Sequence, residues 1–215
     1  MANLEQGSEE WLEARRNRLT GSNFGAAVGH NKFKSPLQLA HEMLYGTFEG
    51  NEATRWGNAH EQVACHEYIL AKKQLLCTGG NEDDVDFSVS HSGLNPHETK
   101  HWLAVSPDGH VRENGVTAIL EIKCPFKRKL YPEIPSYYMD QIQGIMGVLS
   151  VPWTDFCVWT PDEFSIQRVA FNKEYWESQL YPGLERFYHE VFIPAYLDRE
   201  ESRVMGDESI PPYPS

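Results

Sequence analysis

Apolar positions recur at helical spacing in some stretches of the chain and alternate in others, and this pattern predicts a mixed sequence of helices and strands. A helix is expected over about 8–17, capped by Ser8, with Trp11 and Leu12 for packing, and a second over about 20–28 opening at Thr20. Ser35-Pro36 starts a third, ending near Tyr45, and Gly46 and Gly50 mark a loop before a longer helix from Thr54 to about Lys73. Residues 85–94, where Val85, Phe87 and Val89 alternate, and residues 101–107 read as strands around the turn signal Asn95-Pro96, which predicts an antiparallel hairpin. Thr117–Lys123 is a further strand, stopped by Pro125. Ser136–Leu149 reads as a helix, Asp155–Trp159 and Phe164–Phe171 as strands, and Lys173–Leu197 as a C-terminal helix interrupted or kinked near Pro182 and Pro194. The end, Ile210-Pro-Pro-Tyr-Pro-Ser215, is expected to be disordered. There is no repeat and no internal linker.

The expected organisation is one α/β (α+β) domain over residues 1–200, with a central mixed β-sheet flanked by helices, and a tail over 201–215. At 215 residues, 40% hydrophobic and 12% aromatic, the chain can fill one core. Cys65, Cys77, Cys124 and Cys157 form no C-x-x-C pair, which suits reduced intracellular thiols better than a disulfide framework or a zinc ribbon. His60, Cys65 and His66 lack a second cluster that would complete four zinc ligands. Met1–Glu10 is polar and acidic, unlike a signal peptide, and no run approaches membrane-spanning length. The expectation is a soluble intracellular protein, in cytoplasm or nucleus.

The net charge of −12 argues against a generally basic nucleic-acid coat, but it is unevenly spread. Residues 14–34 carry Arg15, Arg16, Arg18, Lys32 and Lys34 and no acid, and residues 121–131 have a balance of +3 that includes Lys127-Arg128-Lys129. The segments 81–98 and 198–215 hold −8 between them. Within this pattern the sharpest feature is Ser106-Pro107-Asp108-Gly109 followed by Leu120-Glu121-Ile122-Lys123-Cys124-Pro125. Alternation on a strand puts Glu121 and Lys123 on one side and Leu120 and Ile122 on the other. Asp108 and Glu121 then offer hard oxygen ligands for Mg²⁺ or Mn²⁺, and Lys123 can hold or deprotonate a water or stabilise a phosphate in transfer. Taken alone, Glu-x-Lys is more often a surface ion pair.

Glu61 shares a helical face with Ala64, Cys65 and Tyr68, so its carboxylate points inward and needs a partner; Gly57, one turn earlier, leaves room beside it. The alternative is a partly exposed Glu paired with a neighbouring base. Gln141 lies on a helical face with Tyr138, Gly144 and Ile145, suited either to orienting Lys123 or to a satisfied polar contact between helix and sheet. Trp11 and Arg15 stand one turn apart, and Ser22 near the next helix start could join Arg15 in gripping a phosphate; the plain alternative is a solvated basic face.

Together these motifs, Gly7-Ser-x-x-Trp11, the Trp56-Gly57 to Glu61 helix, Ser106-Pro-Asp-Gly, Glu121-Ile-Lys-Cys-Pro and Gln141-x-Gln143, resemble in order the lambda-exonuclease group (YqaJ-type viral recombinases) of PD-(D/E)xK nucleases. The resemblance implies a restriction-endonuclease-like core over residues 54–171, preceded by N-terminal helices in 1–50 that carry an end-phosphate pocket and followed by a C-terminal helix over 173–197. It implies that Asp108, Glu121 and the backbone carbonyl of Ile122 bind metal, Mg²⁺ or Mn²⁺, that Glu61 completes the site and Gln141 supports it. Lys123 would then activate or position water, and Arg15 and Ser22 would hold a 5′-terminal phosphate. The implied activity is 5′ to 3′ degradation of one strand of linear duplex DNA to mononucleotides, leaving 3′ overhangs for recombination. The implied partners are duplex DNA ends, a single-strand annealing protein and further copies of the chain in a trimeric ring, with no membrane. Two other readings stand beside it: an endonuclease or RecB-like end-processing nuclease of the same fold, and a DNA-binding module without catalysis.

Overall fold

The computed structural model describes residues 8–16, 18–46, 51–77, 85–127 and 129–205. Helix α1 (Glu9–Arg15) opens at Ser8, whose hydroxyl accepts from the Trp11 amide at 3.2 Å. The helix expected from Thr20 starts later. Leu19–Thr20 is instead a short strand, β1, pairing parallel with residues 103–104, and a 3₁₀ turn over Gly21–Asn23 leads into α2 (Phe24–Ala27). Thr20 is non-helical because tertiary pairing claims its backbone. Helix α3 (Pro36–Tyr45) begins where Ser35-Pro36 predicted, closed by a capping box with Gln38. Helix α4 (Glu52–Leu76) runs longer than expected because Asn51 caps it, its side-chain oxygen accepting from the Thr54 amide at 2.9 Å.

The predicted hairpin across Asn95-Pro96 does not form. Strand β2 (Phe87–Ser90) pairs antiparallel not with the next strand but with β5 (Gly109–Glu113). Asn95–Pro96 is itself a strand, β3, pairing with β4 (Leu103–Val105) in a separate three-stranded sheet of order β1-β4-β3. A tight turn, Asn114-Gly115 with φ of 50° and 77°, joins β5 to β6 (Val116–Lys123). This is the left-handed pair that an Asn-Gly hairpin turn requires. The Asn-Gly pair in the sequence therefore marks the hairpin, between β5 and β6 rather than across Asn95-Pro96.

The main sheet has the order β2-β5-β6-β7-β8, with β7 at Trp153–Trp159 and β8 at Phe164–Ala170. Only β6 and β7 are parallel, and α5 (Ser136–Leu149) provides the crossover that a parallel pair needs. Successive β6 residues serve opposite cores: Ile119 packs with Ile142 of α5, while Leu120 and Ile122 pack with Ala64 and Tyr68 of α4. Gly144 permits the α5 contact with α2, since a Cβ there would lie 2.2 Å from the buried Phe24 ring. After β8 comes a helical run from Lys173 to Val204, comprising α6 (Lys173–Tyr175), α7 (Tyr181–Arg186) and α8 (Ile193–Val204) joined by π-helical turns at Trp176–Leu180 and Phe187–Phe192. Each wide turn precedes Pro182 or Pro194, where the missing N–H and the ring's clash with the carbonyl four residues back favour an expanded turn over a break. The helix therefore passes the expected end at Leu197, and residues 201–204 of the expected tail are helical; 206–215 lie outside the described residues. No described helix is long and apolar enough to cross a membrane.

A buried ion network fixes α4 along the sheet. Lys72 Nζ lies 2.7 Å from Glu113 and 3.3 Å from Asp155, and Arg168 reaches the same two carboxylates at 2.7 and 2.8 Å. The Tyr68 hydroxyl donates to Asp155 at 2.8 Å. Two cations balance two anions, which is what makes such burial tolerable. The hydrogen bonds from Arg168, followed by Lys72, hold the Glu113 carboxyl down at about 2. Because Lys72, Tyr68, Cys65 and Glu61 follow one helical stripe, this anchor also sets the height of Glu61. Lys72→Ala is expected to destabilise the protein by about 3 kcal/mol, since one buried anion loses its counter-charge, and Tyr68→Phe by about 1 kcal/mol. Denaturant unfolding at neutral pH checks both values and their order.

Candidate active site

Strand β6 delivers the two central groups. Glu121 and Lys123 leave it on the α5 side, and the antiparallel register of Gly109 with Leu120 carries Asp108, just before β5, to the same end. Asp108 Oδ2 accepts from the Ile122 amide at 2.6 Å, which turns the carboxylate toward the strand's end. Glu121 is only 2% exposed, and its Oε1 accepts from both Lys123 Nζ and Gln141 Nε2 at 2.6 Å. Its Oε2 is equally buried and has no hydrogen-bond partner among the described residues. A buried carboxylate oxygen without a donor is costly, and the vacancy suits a cation.

Burial, and then the neighbouring Asp108, push the Glu121 carboxyl up to about 7. Asp108 also rises to about 7, chiefly through burial and with Glu61 adding to it, against the pull of Lys123. Glu61 is raised by burial and by Glu121, so three acids crowd one field. Burial opposes the Lys123 ammonium, but Glu121 and Asp108 outweigh it and raise this group above its ordinary value. Without a metal, Lys123 therefore stands as an ammonium that donates to Glu121, and its Nζ lies 5.0 Å from the centre of the Tyr138 ring.

These residues line a cleft of about 490 Å³ that extends to the N-terminal segment, where Trp11, Arg15 and Ser22 form its other wall. The Arg15 guanidinium lies over the Trp11 ring at 4.2 Å and donates to Thr20 Oγ1 at 2.9 Å. Burial lowers it to about 10, and no described carboxylate forms an ion pair with it. The Trp11 indole N–H is buried without a hydrogen-bond partner among the described residues. Ser22 sits exposed in the 3₁₀ turn over Gly21–Asn23, held there by buried Gly21 against Ile145. Arg15 and Ser22 thus place a cation and an exposed hydroxyl at one end of the cleft, donors whose chemistry suits an anion.

All the site residues named from the sequence, Arg15, Ser22, Glu61, Asp108, Glu121, Ile122, Lys123 and Gln141, thus meet in one cleft. The two glutamines of α5 part company: Gln143 instead accepts from the Asn172 amide at 2.8 Å and donates to the Ala170 carbonyl at 3.0 Å, tying α5 to the start of the C-terminal helix. Sequence reasoning missed Asn51, Thr54, Asn58, Ser106 and Tyr131 on the cleft wall. Asn51 carried a capping signal, lost when the helix was started at Thr54; Tyr131 carried none, because its place depends on how the loop after β6 folds back. His60 is not positioned as a ligand, since its ring stacks on Trp56 at 3.8 Å and its Nδ1 lies 2.8 Å from the Trp56 carbonyl. Most of the acidic run, residues 81–84, and Arg128 lie outside the described residues.

The donor set has the chemistry of a hard divalent ion. Among the described residues no group of three His, Cys, Asp or Glu side chains is placed to hold a metal ion together, so the protein would offer two carboxylates at most without a shift of Glu61. Mg²⁺ is commonly held by one or two carboxylates with water and substrate phosphate completing the shell, so Asp108 and Glu121 with an unpaired oxygen fit it, and a four-ligand zinc site does not.

The chain is 25% identical over 200 residues to uncharacterized protein R354 of Acanthamoeba polyphaga mimivirus, covering 85% of this chain and 34% of that protein. It is 28% identical over 160 residues to protein D345L of African swine fever virus (strain Badajoz 1971 Vero-adapted), covering 65% and 45% respectively. The chain thus spans between a third and a half of the length of these two relatives. Its fold is similar to that of the alkaline exonuclease LHK-Exo from Laribacter hongkongensis, with TM-scores of 0.66 alone and 0.69 for the complex with dAMP, at 24% identity over 92% of this chain and 100% of that one. A phage-related exonuclease from Haemophilus somnus matches with a TM-score of 0.52 at 13% identity, over 83% of this chain and 96% of that one. Residues 10–156 match the model of the YqaJ-like viral recombinase domain, and the chain belongs to that family.

Proposed function

We propose that the protein is a divalent-metal-dependent exonuclease that degrades one strand of linear duplex DNA from a 5′-phosphorylated end and releases mononucleotides. The observation that carries this reading is the joining, in one cleft, of a carboxylate pair beside Lys123 with an anion-accepting wall of Trp11, Arg15 and Ser22. Hydrolysis at an internal bond does not call for a second phosphate grip; hydrolysis counted from an end does. The likeness to an alkaline exonuclease whose structure was solved with dAMP, a deoxynucleoside monophosphate, supports the same substrate class.

In this mechanism Arg15, Ser22 and the Trp11 N–H hold the terminal phosphate and bring the next phosphodiester opposite Asp108 and Glu121. Asp108, Glu121, the Ile122 carbonyl and Glu61 would hold Mg²⁺ or Mn²⁺. The metal, when bound, neutralises charge at the scissile phosphate and makes water more acidic. Lys123, a cation, donates to the attacking water or to a phosphate oxygen, and Gln141 keeps Glu121 oriented by occupying Oε1. Water oxygen bonds to phosphorus, its proton passing to solvent, as the bond to the 3′ oxygen of the terminal nucleotide breaks and that oxygen takes a proton from solvent, leaving a new 5′-phosphate for the same grip. Single-strand annealing recombination is the process that would use the exposed 3′ strand, and a ring of copies would keep the duplex engaged.

Purified protein with Mg²⁺ should digest 5′-phosphorylated linear duplex and spare covalently closed circles. Cutting of closed circles would favour the endonuclease reading, and inactivity with both Mg²⁺ and Mn²⁺ the binding-module reading. Lys123→Ala is expected to lower kcat by at least about 100-fold, the scale of losing a group that stabilises transition-state charge. Arg15→Ala should abolish the preference for 5′-phosphate over 5′-hydroxyl ends while leaving hydrolysis of hydroxyl ends largely intact; an unchanged preference refutes the grip.

Protons and metal compete for Asp108 and Glu121, so at limiting Mg²⁺ the rate should rise as pH passes about 7, and more Mg²⁺ should move the midpoint to lower pH. The same carboxyls are raised on folding, so their contribution to stability is fully present below about pH 4 and is lost as pH rises through about 7. Metal-free protein carrying Glu121→Gln should therefore show a smaller fall in Tm across that window than the unaltered chain. Equal slopes would remove Glu121 as its source.

A further inference from the structure

The loop after β6 carries a feature that the catalytic cleft does not use. Phe126, three residues beyond Lys123, is 43% exposed, whereas the aromatic ring at the other end of its contacts, Trp159, is 6% exposed. Between them runs a column of rings: Phe126 meets Trp56 edge to face at 6.1 Å, Trp56 stacks on His60 at 3.8 Å, and His60 stacks on Trp159 at 5.4 Å. The base of the column is fixed. Trp159 Nε1 donates to Glu67 at 2.8 Å, and Trp159 follows Val158, the residue that pairs with Lys123 across β6 and β7. Rings stacked in this way cannot swing aside independently, so the exposed Phe126 is presented on a stiff support.

Its position adjoins the cleft on both sides. Pro125 and Gly57, the chain neighbours of Phe126 and Trp56, both line it. The surroundings are cationic: Lys127 and Lys129 are exposed on the same loop, and no described carboxylate forms an ion pair with either. A half-exposed aromatic ring followed by two exposed lysines, beside a cleft proposed to hydrolyse phosphodiesters, matches the chemistry of an unpaired nucleotide, with a base to stack and phosphates to neutralise.

We infer that Phe126, backed by Trp56, His60 and Trp159, is a stacking platform for an unpaired nucleobase of the DNA strand entering the cleft, with Lys127 and Lys129 drawing in its flanking phosphates. The inference rests on the nuclease reading for its substrate but not for its measurement. Opening a duplex end forfeits base stacking, and a fixed aromatic face replaces part of it. The entering strand is the one selected because only the short Cys124-Pro125 link separates Phe126 from Lys123.

The test uses the full chain in EDTA with a 5′-phosphorylated duplex whose two terminal base pairs are replaced by mismatches, and with 2-aminopurine at the second nucleotide of the 5′-ended strand. The native complex should fluoresce less than the Phe126→Ala complex, because the platform quenches the probe, and Phe126→Ala should weaken binding about 10-fold. Phe126→Trp should restore both quenching and affinity, which a folding defect would not allow. With the probe in the complementary strand, the native and Phe126→Ala complexes should be equally bright. Equal brightness with the probe in the 5′-ended strand, or a difference confined to the complementary strand, overturns the inference. Hydrolysis in Mg²⁺, followed separately, keeps the two ideas apart: a chain that quenches but does not cut loses the nuclease reading, and one that cuts without quenching loses the platform.

Discussion

The arrangement of this molecule depends on one buried carboxylate. Glu121 is removed from water at the end of the central strand, with one oxygen engaged by Lys123 and Gln141 and the other left without a donor. Such a group is unfavourable in isolation, and the surrounding structure consists largely of what is needed to hold it there. Strand β6 is paired on both sides, so its backbone cannot shift to hydrate the carboxylate. Helix α5, pressed close to α2 at Gly144, keeps Gln141 in reach. The result is a buried carboxylate oxygen that no described residue satisfies, the feature on which the proposed metal site rests.

The second constraint is the height of α4. Glu61 lines the same cleft as Asp108 and Glu121 only if the helix is held lengthwise, and apolar packing of Ala64 and Tyr68 against β6 does that poorly, since hydrophobic contact is not directional. The ion network of Lys72, Glu113, Asp155 and Arg168 supplies direction instead. Buried ion pairs contribute little net stability over an apolar alternative, so their use here is better explained by registry than by strength. The same helix carries Trp56 and His60 near its start, so a single anchor sets both Glu61 and the aromatic column beside it.

A net charge of −12 does not conflict with a polyanionic substrate once charge is placed in space. Glu61, Asp108 and Glu121 line the cleft together with the cations Arg15 and Lys123, and Lys127 and Lys129 are exposed on the loop that follows β6. Under the proposed function, binding energy concentrated at one end-grip and one hydrolytic centre would be compatible with movement along DNA, because each added phosphate contact strengthens and slows the hold.

Local chemistry was legible in the sequence where one element contained it. The alternation of Leu120, Glu121, Ile122 and Lys123 determined which side chains share a strand face, and the stripe of Glu61, Ala64, Cys65 and Tyr68 determined which face of α4 is buried, because backbone geometry alone sets both periods. Ser8, Ser35-Pro36 and the Ser136–Leu149 pattern likewise marked their helices. Pairing was not legible. Residues 87–90 joined β5 rather than their sequence neighbour, Thr20 became strand, and Asn95-Pro96 turned from an expected turn into an edge strand, since each outcome depends on which distant backbone is available to pair. The meeting of Arg15 and Ser22 with Asp108 and Glu121, the empty valence on Glu121 and the ring column from Phe126 to Trp159 were likewise decided by tertiary structure, because distances between elements far apart in the chain have no period to read.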